Sequence, residues 1–169
     1  MALHRILAAA ALAATLALPA SAGAAQRSDE AKSATSLRTA AAVGERYWGA
    51  TPCNGKVKLV TQRTTPAGLD PNSNAWVTFD SSLGANNLAA PVSSYTNCVV
   101  AFASWPTAAS MRSDWGMFCT TMTHELGHLL GHAHDDALGS VMAPVFEDRS
   151  SVTPGCRASR PARTARLHR

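Results

Sequence analysis

The apolar residues of this chain follow three different patterns along its length. A continuous apolar run covers residues 6–18, near the N-terminus. Polar and apolar residues alternate over 56–61, as in a half-buried strand, and the runs at 75–79 and 98–103 have the length and the aromatic or β-branched content of strands. From residue 110 the apolar positions recur at near-helical spacing. The pattern predicts an α+β fold: a small mixed sheet and one central helix.

The predicted helix carries a buried stripe on seven positions: Met117, Phe118, Thr121, Met122, Leu126, Leu129 and Leu130. We expect it to begin between Ser110 and Trp115, with Ser110 as a candidate N-cap or turn residue. We expect it to end at Gly131, because glycine adopts the left-handed conformation that stops a helix. The segments 64–74 and 81–94 are rich in Gly, Pro and Asn. Loops as long as 81–94 are usually functional or tied down.

Residues 1–25 have the layout of a secretory signal peptide. Two basic residues, His4 and Arg5, precede the apolar run, and small residues with A-x-A-like cleavage sites follow it up to Ala25. The apolar run of 13 residues is too short to span a bilayer comfortably. We therefore expect a secreted, extracellular protein that keeps no membrane anchor after cleavage.

Residues 26–52 are rich in alanine and charge, and three interpretations remain open for them. The segment is a short propeptide, an N-terminal helix with a weak apolar stripe, or a loosely packed leader, and the leader is favoured. The stripe consists of Leu37, Ala40, Ala41 and Val43. The catalytic domain is then expected to cover residues 53–156, with no internal repeat and no second domain.

The formal charge of +4 comes from the end of the chain. Residues 26–156 hold 9 Lys and Arg against 11 Asp and Glu, a net charge of −2, whereas the segment 157–169 contains five arginines. Pro161 disfavours a helix there, so an extended basic tail is expected. The tail either binds acidic polymers or cell walls or is inert, and the inert alternative is favoured. We predict a monomer with no nucleic-acid partner.

The segment 120–134 contains the residues that carry chemistry. His124 and His128 are four apart, so they lie on one face of a helix and can bind one metal ion, and Glu125 stands between them. Gly131 allows the chain to turn, and His134 follows three residues later as a third ligand. Three protein ligands and one open position are typical of catalytic zinc.

Glu125 is the candidate general base. It lies one step round the helix from His124, so it can act on a zinc-activated water rather than bind the metal itself. His132 is a rival to His134 as third ligand, because it lies four residues after His128, but the motif favours His134. Asp135 and Asp136 are either acceptors that orient a ligand imidazole or solvated loop acids.

The pattern H-E-x-x-H-x-x-G-x-x-H, together with residues 140–144, resembles the metzincin zinc peptidases and most closely their matrixin branch. The resemblance implies a small metzincin-like (zincin) domain with a twisted mixed sheet, a central active-site helix and a Met-turn. It places Met142 beneath the metal and makes Pro144 and Phe146 the lining of an S1′ pocket. It also implies that the strand 98–103 is the edge of the sheet along the cleft.

The activity implied is that of a secreted zinc endopeptidase that hydrolyses proteins or peptides with one catalytic Zn²⁺. Structural Ca²⁺ is not excluded but nothing indicates it, and no second zinc is indicated, because the stretch 88–91 has alanine where the family has a histidine ligand. Two rivals remain: a zinc hydrolase of cell-wall peptide cross-links, and a non-catalytic metal-binding or inhibitory protein. The presence of Glu125 argues against the second rival.

An even number of cysteines in a small exported domain predicts disulfide bonds. The four cysteines are Cys53, Cys98, Cys119 and Cys156, and three connectivities are open to them. We favour Cys53–Cys98 and Cys119–Cys156, because the second pair would tie the active-site helix to the segment after the Met-turn.

Overall fold

The computed structural model describes residues 21–104, 113–146 and 149–158, with side chains from residue 33. Residues 1–20 of the predicted signal peptide, Ser110 and residues 159–169 of the predicted tail lie outside the described residues. The elements are α1 (Ser21–Trp48), β1 (Lys58–Gln62), β2 (Ala75–Asp80), β3 (Thr96–Ala103), α2 (Trp115–Leu129) and α3 (Pro154–Ala158). The molecule is a small α+β protein in which the helices pack on one face of the sheet.

The sheet is mixed, as predicted, but its strand order differs from the expectation. The order is β1-β3-β2, with β1 parallel and β2 antiparallel to β3. The prediction that 98–103 forms the edge along the cleft was therefore wrong, since β3 is the central strand of the described sheet. Its run of apolar residues is buried or half-buried on both faces, as expected of a strand with a neighbour on each side.

The two faces of β3 enter different apolar clusters. Val100 and Phe102 point toward the helices and belong to the main core. Ala101 and Ala103 point to the opposite face, where they pack with Trp76 of β2. This alternation is the two-residue period of a strand, and it assigns the helices to one side of the sheet.

Residues 33–48 are not a loosely packed leader, which corrects the favoured interpretation for that part of the segment. They belong to α1, and the weak apolar stripe is buried: Leu37, Ala40, Ala41 and Val43. At Gly44 the two helices come so close that a Cβ atom would lie 2.8 Å from Leu126 Cδ1 and 3.1 Å from Thr123 Cα. The folded domain therefore begins within α1 rather than at Cys53, because small residues let α1 pack closely on α2.

The helix with the histidine motif is the central one. α2 buries 13 residues, and it begins at Trp115, within the predicted range. Asp114 caps it by accepting a hydrogen bond from the Met117 amide at 3.4 Å, and the same carboxylate pairs with Arg149. The helix ends at Leu129, two residues before the predicted end. Leu130 is the C-cap, and Gly131 follows it in the left-handed conformation, with φ +87°.

Two disulfides join these elements, in the pairing that was favoured from the sequence. Cys53 bonds Cys98 of β3, and Cys119 of α2 bonds Cys156 of α3. Two disulfides in a small domain indicate an extracellular or otherwise oxidising environment. In the described part of the chain, no helix has the length and apolar character needed to cross a membrane.

Only the first two residues of the predicted basic tail, 157 and 158, are described, and both lie in α3. Arg157 lies in α3, and its Nε donates a hydrogen bond to the Val152 carbonyl at 2.9 Å. The side chain is thus held against the domain, because α3 is fixed to α2 through Cys156. The other arginines of the tail lie outside the described residues.

Candidate metal centre

His124 and His128 occupy one face of α2, one turn apart, as their spacing predicted. Their ring centroids are 4.7 Å apart, and the two Nε2 atoms approach to 3.0 Å. Both side chains are buried, with 7% and 9% of their surface exposed. Two nitrogens on a tetrahedral ion, each about 2.0–2.1 Å from it, are roughly 3.3 Å apart, so the observed separation is close to that of two ligands of one ion.

Backbone carbonyls fix the protonation of both rings. His124 Nδ1 lies 2.8 Å from the Val141 carbonyl oxygen, and His128 Nδ1 lies 2.8 Å from the His132 carbonyl oxygen. A carbonyl only accepts, so each Nδ1 carries the hydrogen and donates it. Each Nε2 of the neutral ring therefore holds a lone pair directed at the other. This is the arrangement in which a second hydrogen-bonding partner orients a metal ligand.

His134 completes the cluster from another direction. Beyond α2 the Gly131 amide bonds the His128 carbonyl and the His132 amide bonds the Gly127 carbonyl, both at 3.0 Å, which is a Schellman motif. The reversed chain brings His134 to ring-centroid distances of 5.2 Å from His124 and 4.8 Å from His128. The ligand atoms of the three histidines lie within 4.8 Å of one another. His134 is exposed, so the open side of the cluster faces outward.

His132 is not a member of the cluster. Its ring stacks on Trp48 with a centroid distance of 4.4 Å and an interplanar angle of 18°. The choice of His134 over His132 as the third candidate ligand agrees with this geometry. What the sequence did not reveal is that the His132 carbonyl orients His128, because side-chain identity carries no signal for a backbone acceptor.

The two aspartates after His134 do not orient the ligand rings. Asp135 instead shapes the following loop, since its carboxylate accepts hydrogen bonds from the Ala137 amide at 2.9 Å and the Ser140 hydroxyl at 3.1 Å. Asp136 is exposed. The solvated-loop alternative thus describes Asp136, and Asp135 has a structural role.

Met142 lies beneath α2, next to the cluster. It is 4% exposed, and its amide donates a hydrogen bond to Ser140 Oγ at 3.1 Å. Its carbonyl accepts a hydrogen bond from the Asp135 amide at 3.0 Å, which holds the chain beside His134 against this turn. The sulfur faces Gly127, where an added Cβ atom would lie 2.5 Å from Sδ. The methionine therefore supports the helix between His124 and His128.

The cluster opens into a cavity of about 710 Å³. One wall is β2 with the loop before it, the second is α2, and the third is the segment 143–146. Pro144 and Phe146, the predicted pocket residues, both line it, and the Phe146 ring stands edge-on to His124 at 5.7 Å. The strand beside the cavity is thus β2, an edge strand of the described sheet.

Comparisons of this chain with models of protein families, with curated proteins and with solved structures found no match. The donor atoms themselves define what the cluster can bind. Three imidazole nitrogens converge, and such nitrogens suit Zn, Cu, Fe and Ni ions. The cluster can therefore hold a metal ion, with a side open for a further ligand.

Glu125 lies beside the cluster in an environment that disfavours its charge. It is 6% exposed and lines the cavity. Desolvation by burial raises the pKa of Glu125 from 4.5 to about 8. Desolvation is also the main cause that lowers the pKa of His124 to about 4 and that of His128 below its ordinary value, with further lowering from neighbouring histidines. Neutral imidazoles are the form that binds a metal.

The metal-free protein is expected to lose stability as the pH rises from 6.5 to about 8. Over this range folded Glu125 keeps a proton that the unfolded chain, with its ordinary pKa of 4.5, has released. The free energy of unfolding then falls by up to about 1.4 kcal/mol per pH unit. The lowered pKa of His124 has the opposite effect on stability. Its contribution is complete above pH 6.5 and is lost as the pH falls from 6.5 to about 4, below the range of this prediction.

Urea unfolding midpoints of the metal-free protein at pH 6.5 and pH 8 measure this effect. The Glu125→Gln variant is the control, because it has no carboxyl to titrate, and the fall should be smaller in it. Equal falls in the two proteins would show that Glu125 titrates normally.

Gly127→Ala is expected to destabilise the protein although alanine favours helices. The new Cβ would lie 2.5 Å from Met142 Sδ and 2.8 Å from Trp48 Cζ2, so two packed side chains must move. Overpacking of this kind costs about 1–3 kcal/mol. Gly116→Ala in the same helix is the matched control, because its Cβ would lie 3.0 Å from the exposed guanidinium of Arg149 and 3.2 Å from Val152 Cγ1, both longer than the two contacts at Gly127. Denaturant unfolding should show a clear loss in the first variant and a smaller change in the second.

Proposed function

We propose that this chain is a secreted zinc-dependent endopeptidase of the metzincin type. The observation that carries the proposal is the arrangement of His124, His128 and His134 with Glu125 at the wall of a substrate-sized cavity. Zinc is the ion proposed because three nitrogen ligands with one open position are the usual catalytic zinc set. The donor atoms fit, since two of the three imidazoles are already oriented by backbone carbonyls.

When bound, Zn²⁺ supplies a Lewis acid that polarises a peptide carbonyl and lowers the pKa of a water molecule toward about 7. Glu125 accepts a proton from the attacking water and delivers it to the leaving amine as the C–N bond breaks. The products are a carboxylate and an amine. Glu125 must be ionised to act as a base, and a cation held by the three neutral imidazoles would favour that form despite its burial.

The cavity supports a peptide substrate. Its wall along α2 contains Met117, and its wall along β2 contains Val77 and Phe79, so an apolar side chain fits between them. Pro144 and Phe146 close the third side. An extended chain that passes between β2 and the segment 143–146 would bring a peptide carbonyl close to the cluster and Glu125, while an apolar side chain fills the cavity.

The metzincin assignment has support from the turn below the site. Met142 packs under α2 at Gly127, and the Val141 carbonyl beside it holds His124. This contact between the turn and α2 supports a role for Met142 beneath the site. The N-terminal helix α1 is then part of the enzyme domain, because its core residues pack on α2.

A peptidase assay with and without a chelator tests the proposal. Purified mature protein should cleave casein, lose activity with a zinc chelator, and regain it when Zn²⁺ is restored. Metal analysis of the isolated protein should find one zinc per chain. Activity that survives complete removal of metal would contradict the proposal.

The rival hydrolase of cell-wall peptide cross-links shares the same site, so the substrate separates the two. Purified peptidoglycan and casein should be assayed side by side at equal enzyme concentration. Release of peptides from casein with intact peptidoglycan supports the endopeptidase. The opposite result supports the cell-wall enzyme, and stoichiometric zinc without either activity supports a binding protein.

A further inference from the structure

Trp48, the last residue of α1, is fixed against α2. Its Nε1–H donates a hydrogen bond to the Thr123 carbonyl at 2.8 Å. Its Cζ2 would lie 2.8 Å from a Cβ atom at Gly127, so the indole occupies space that a side chain there would need. The indole is therefore held at two points, each within one residue of a candidate metal ligand.

The fixed indole supports the residue that turns the chain after α2. The His132 ring lies on it at a centroid distance of 4.4 Å and 18° between planes. His132 is otherwise exposed, so this stack is its main side-chain contact among those described. Aromatic pairs of this kind add attraction beyond the area that they bury.

The carbonyl of the same residue holds a ligand ring. His128 Nδ1–H donates to the His132 carbonyl at 2.8 Å, and the His132 amide is bound to the Gly127 carbonyl at 3.0 Å. His132 thus joins two contacts: its ring rests on the Trp48 indole, and its carbonyl holds the His128 imidazole.

We infer that Trp48 is a positioning residue for the metal centre: through its stack with His132 it orients His128, so that metal affinity depends on a residue of the N-terminal helix. The inference rests on the proposed metal site but not on the proposed peptidase activity. It also gives α1 a role that a removable propeptide could not have, since loss of α1 would loosen a ligand.

The competing explanation is that Trp48 contributes only to the stability of the fold. Val43 provides the matched comparison, because it is a buried residue of the same helix, 2% exposed. It packs on α3 rather than on Trp48: its Cγ1 lies 3.1 Å from the position that a Cβ atom on Gly155 would take. Val43→Ala should lower stability without touching the Trp48–His132 stack. Any effect on metal binding that it shares with Trp48→Ala is therefore an effect of stability.

The experiment measures zinc affinity by competition with a chromophoric chelator, and the visible spectrum of the Co²⁺-loaded protein, for the full mature chain. Trp48→Ala and His132→Ala should weaken zinc binding about 10-fold or more, as loss of a partner that orients a ligand does, and should alter the Co²⁺ spectrum. Trp48→Phe and His132→Phe keep an aromatic ring at each position and should restore most of the affinity. Val43→Ala should bind both ions as the wild type does.

Three results would overturn the inference. The first is unchanged zinc affinity and an unchanged Co²⁺ spectrum in His132→Ala. Because His132 is exposed, this variant should fold and can test the inference even if Trp48→Ala does not fold. The second is an equal loss in Val43→Ala at matched stability. The third is a wild type that binds neither ion, which would overturn the metal site as well. A wild type that binds zinc but cleaves no protein would contradict the proposed function and leave the positioning role intact.

Discussion

Glu125→Gln should lower kcat/KM for a peptide substrate about 10²–10⁴-fold, the usual contribution of a positioned general base. Glutamine has nearly the same shape as glutamate but cannot accept the proton of the attacking water. Glu125 lines the cavity next to His124, and its carboxyl is buried. The substitution therefore removes the base from the site while preserving its volume.

The variant should still bind zinc, because the three ligand atoms that converge come from histidines and Glu125 supplies none of them. Zinc content and affinity of Glu125→Gln, measured beside its activity, separate loss of the base from loss of the metal. A variant that retains zinc and also retains full activity would remove Glu125 from the mechanism. A variant that loses zinc would show that the carboxylate is itself a ligand.

His134→Ala should weaken zinc binding by more than about 100-fold, beyond the range seen when a residue that only orients a ligand is changed. His134 supplies one of three nitrogens that lie within 4.8 Å of one another. With two ligands left, the ion is held by His124 and His128 alone. Activity should fall with the zinc content.

His132→Ala is the matched control for that variant, since it removes an imidazole two residues away. The His132 ring stacks on Trp48, and its contact with His128 is made by the backbone carbonyl, which alanine retains. We expect a loss of about 10-fold, so that zinc is still bound at micromolar protein concentrations. Equal losses in both variants, by competition titration, would contradict the assignment of His134 as the ligand.

The fold was predicted best where side-chain spacing alone decides the structure. Alternation at 56–61 and the apolar run at 98–103 correspond to β1 and β3, which lie within two residues of those bounds. Strand order was not accessible in this way, because pairing joins residues such as Lys58 and Val99 that are far apart in sequence. The central position of β3 in the described sheet follows from its pairing with β1 on one side and β2 on the other, which only the folded structure shows.

The N-terminal helix shows a different limit. Leu37 and Val43 gave a weak stripe among many alanines, and a weak stripe does not distinguish a packed helix from a leader. Alanine contributes little hydrophobic signal, but it allows two helices to come close, and Gly44 does so even more. The burial of Ala40 depends on α2 being present to cover it.

The sequence by itself determined which residues form the candidate metal centre. Four-residue spacing places His124 and His128 on one helix face, and Gly131 stops the helix so that His134 can approach. These are local relations, fixed by helix geometry and by the left-handed conformation of one glycine. They required no knowledge of the rest of the chain.

Tertiary structure decided how those residues are held and what surrounds them. The hydrogen-bond acceptors for His124 and His128 are the backbone carbonyls of Val141 and His132. The Trp48 ring that stacks on His132 belongs to a helix about 80 residues away. The burial that raises the pKa of Glu125 comes from the packed core. Each depends on atoms brought together by folding rather than on the type of residue at a position. A motif can therefore specify the ligands of a site, whereas their orientation, protonation and support arise from the packing of distant segments.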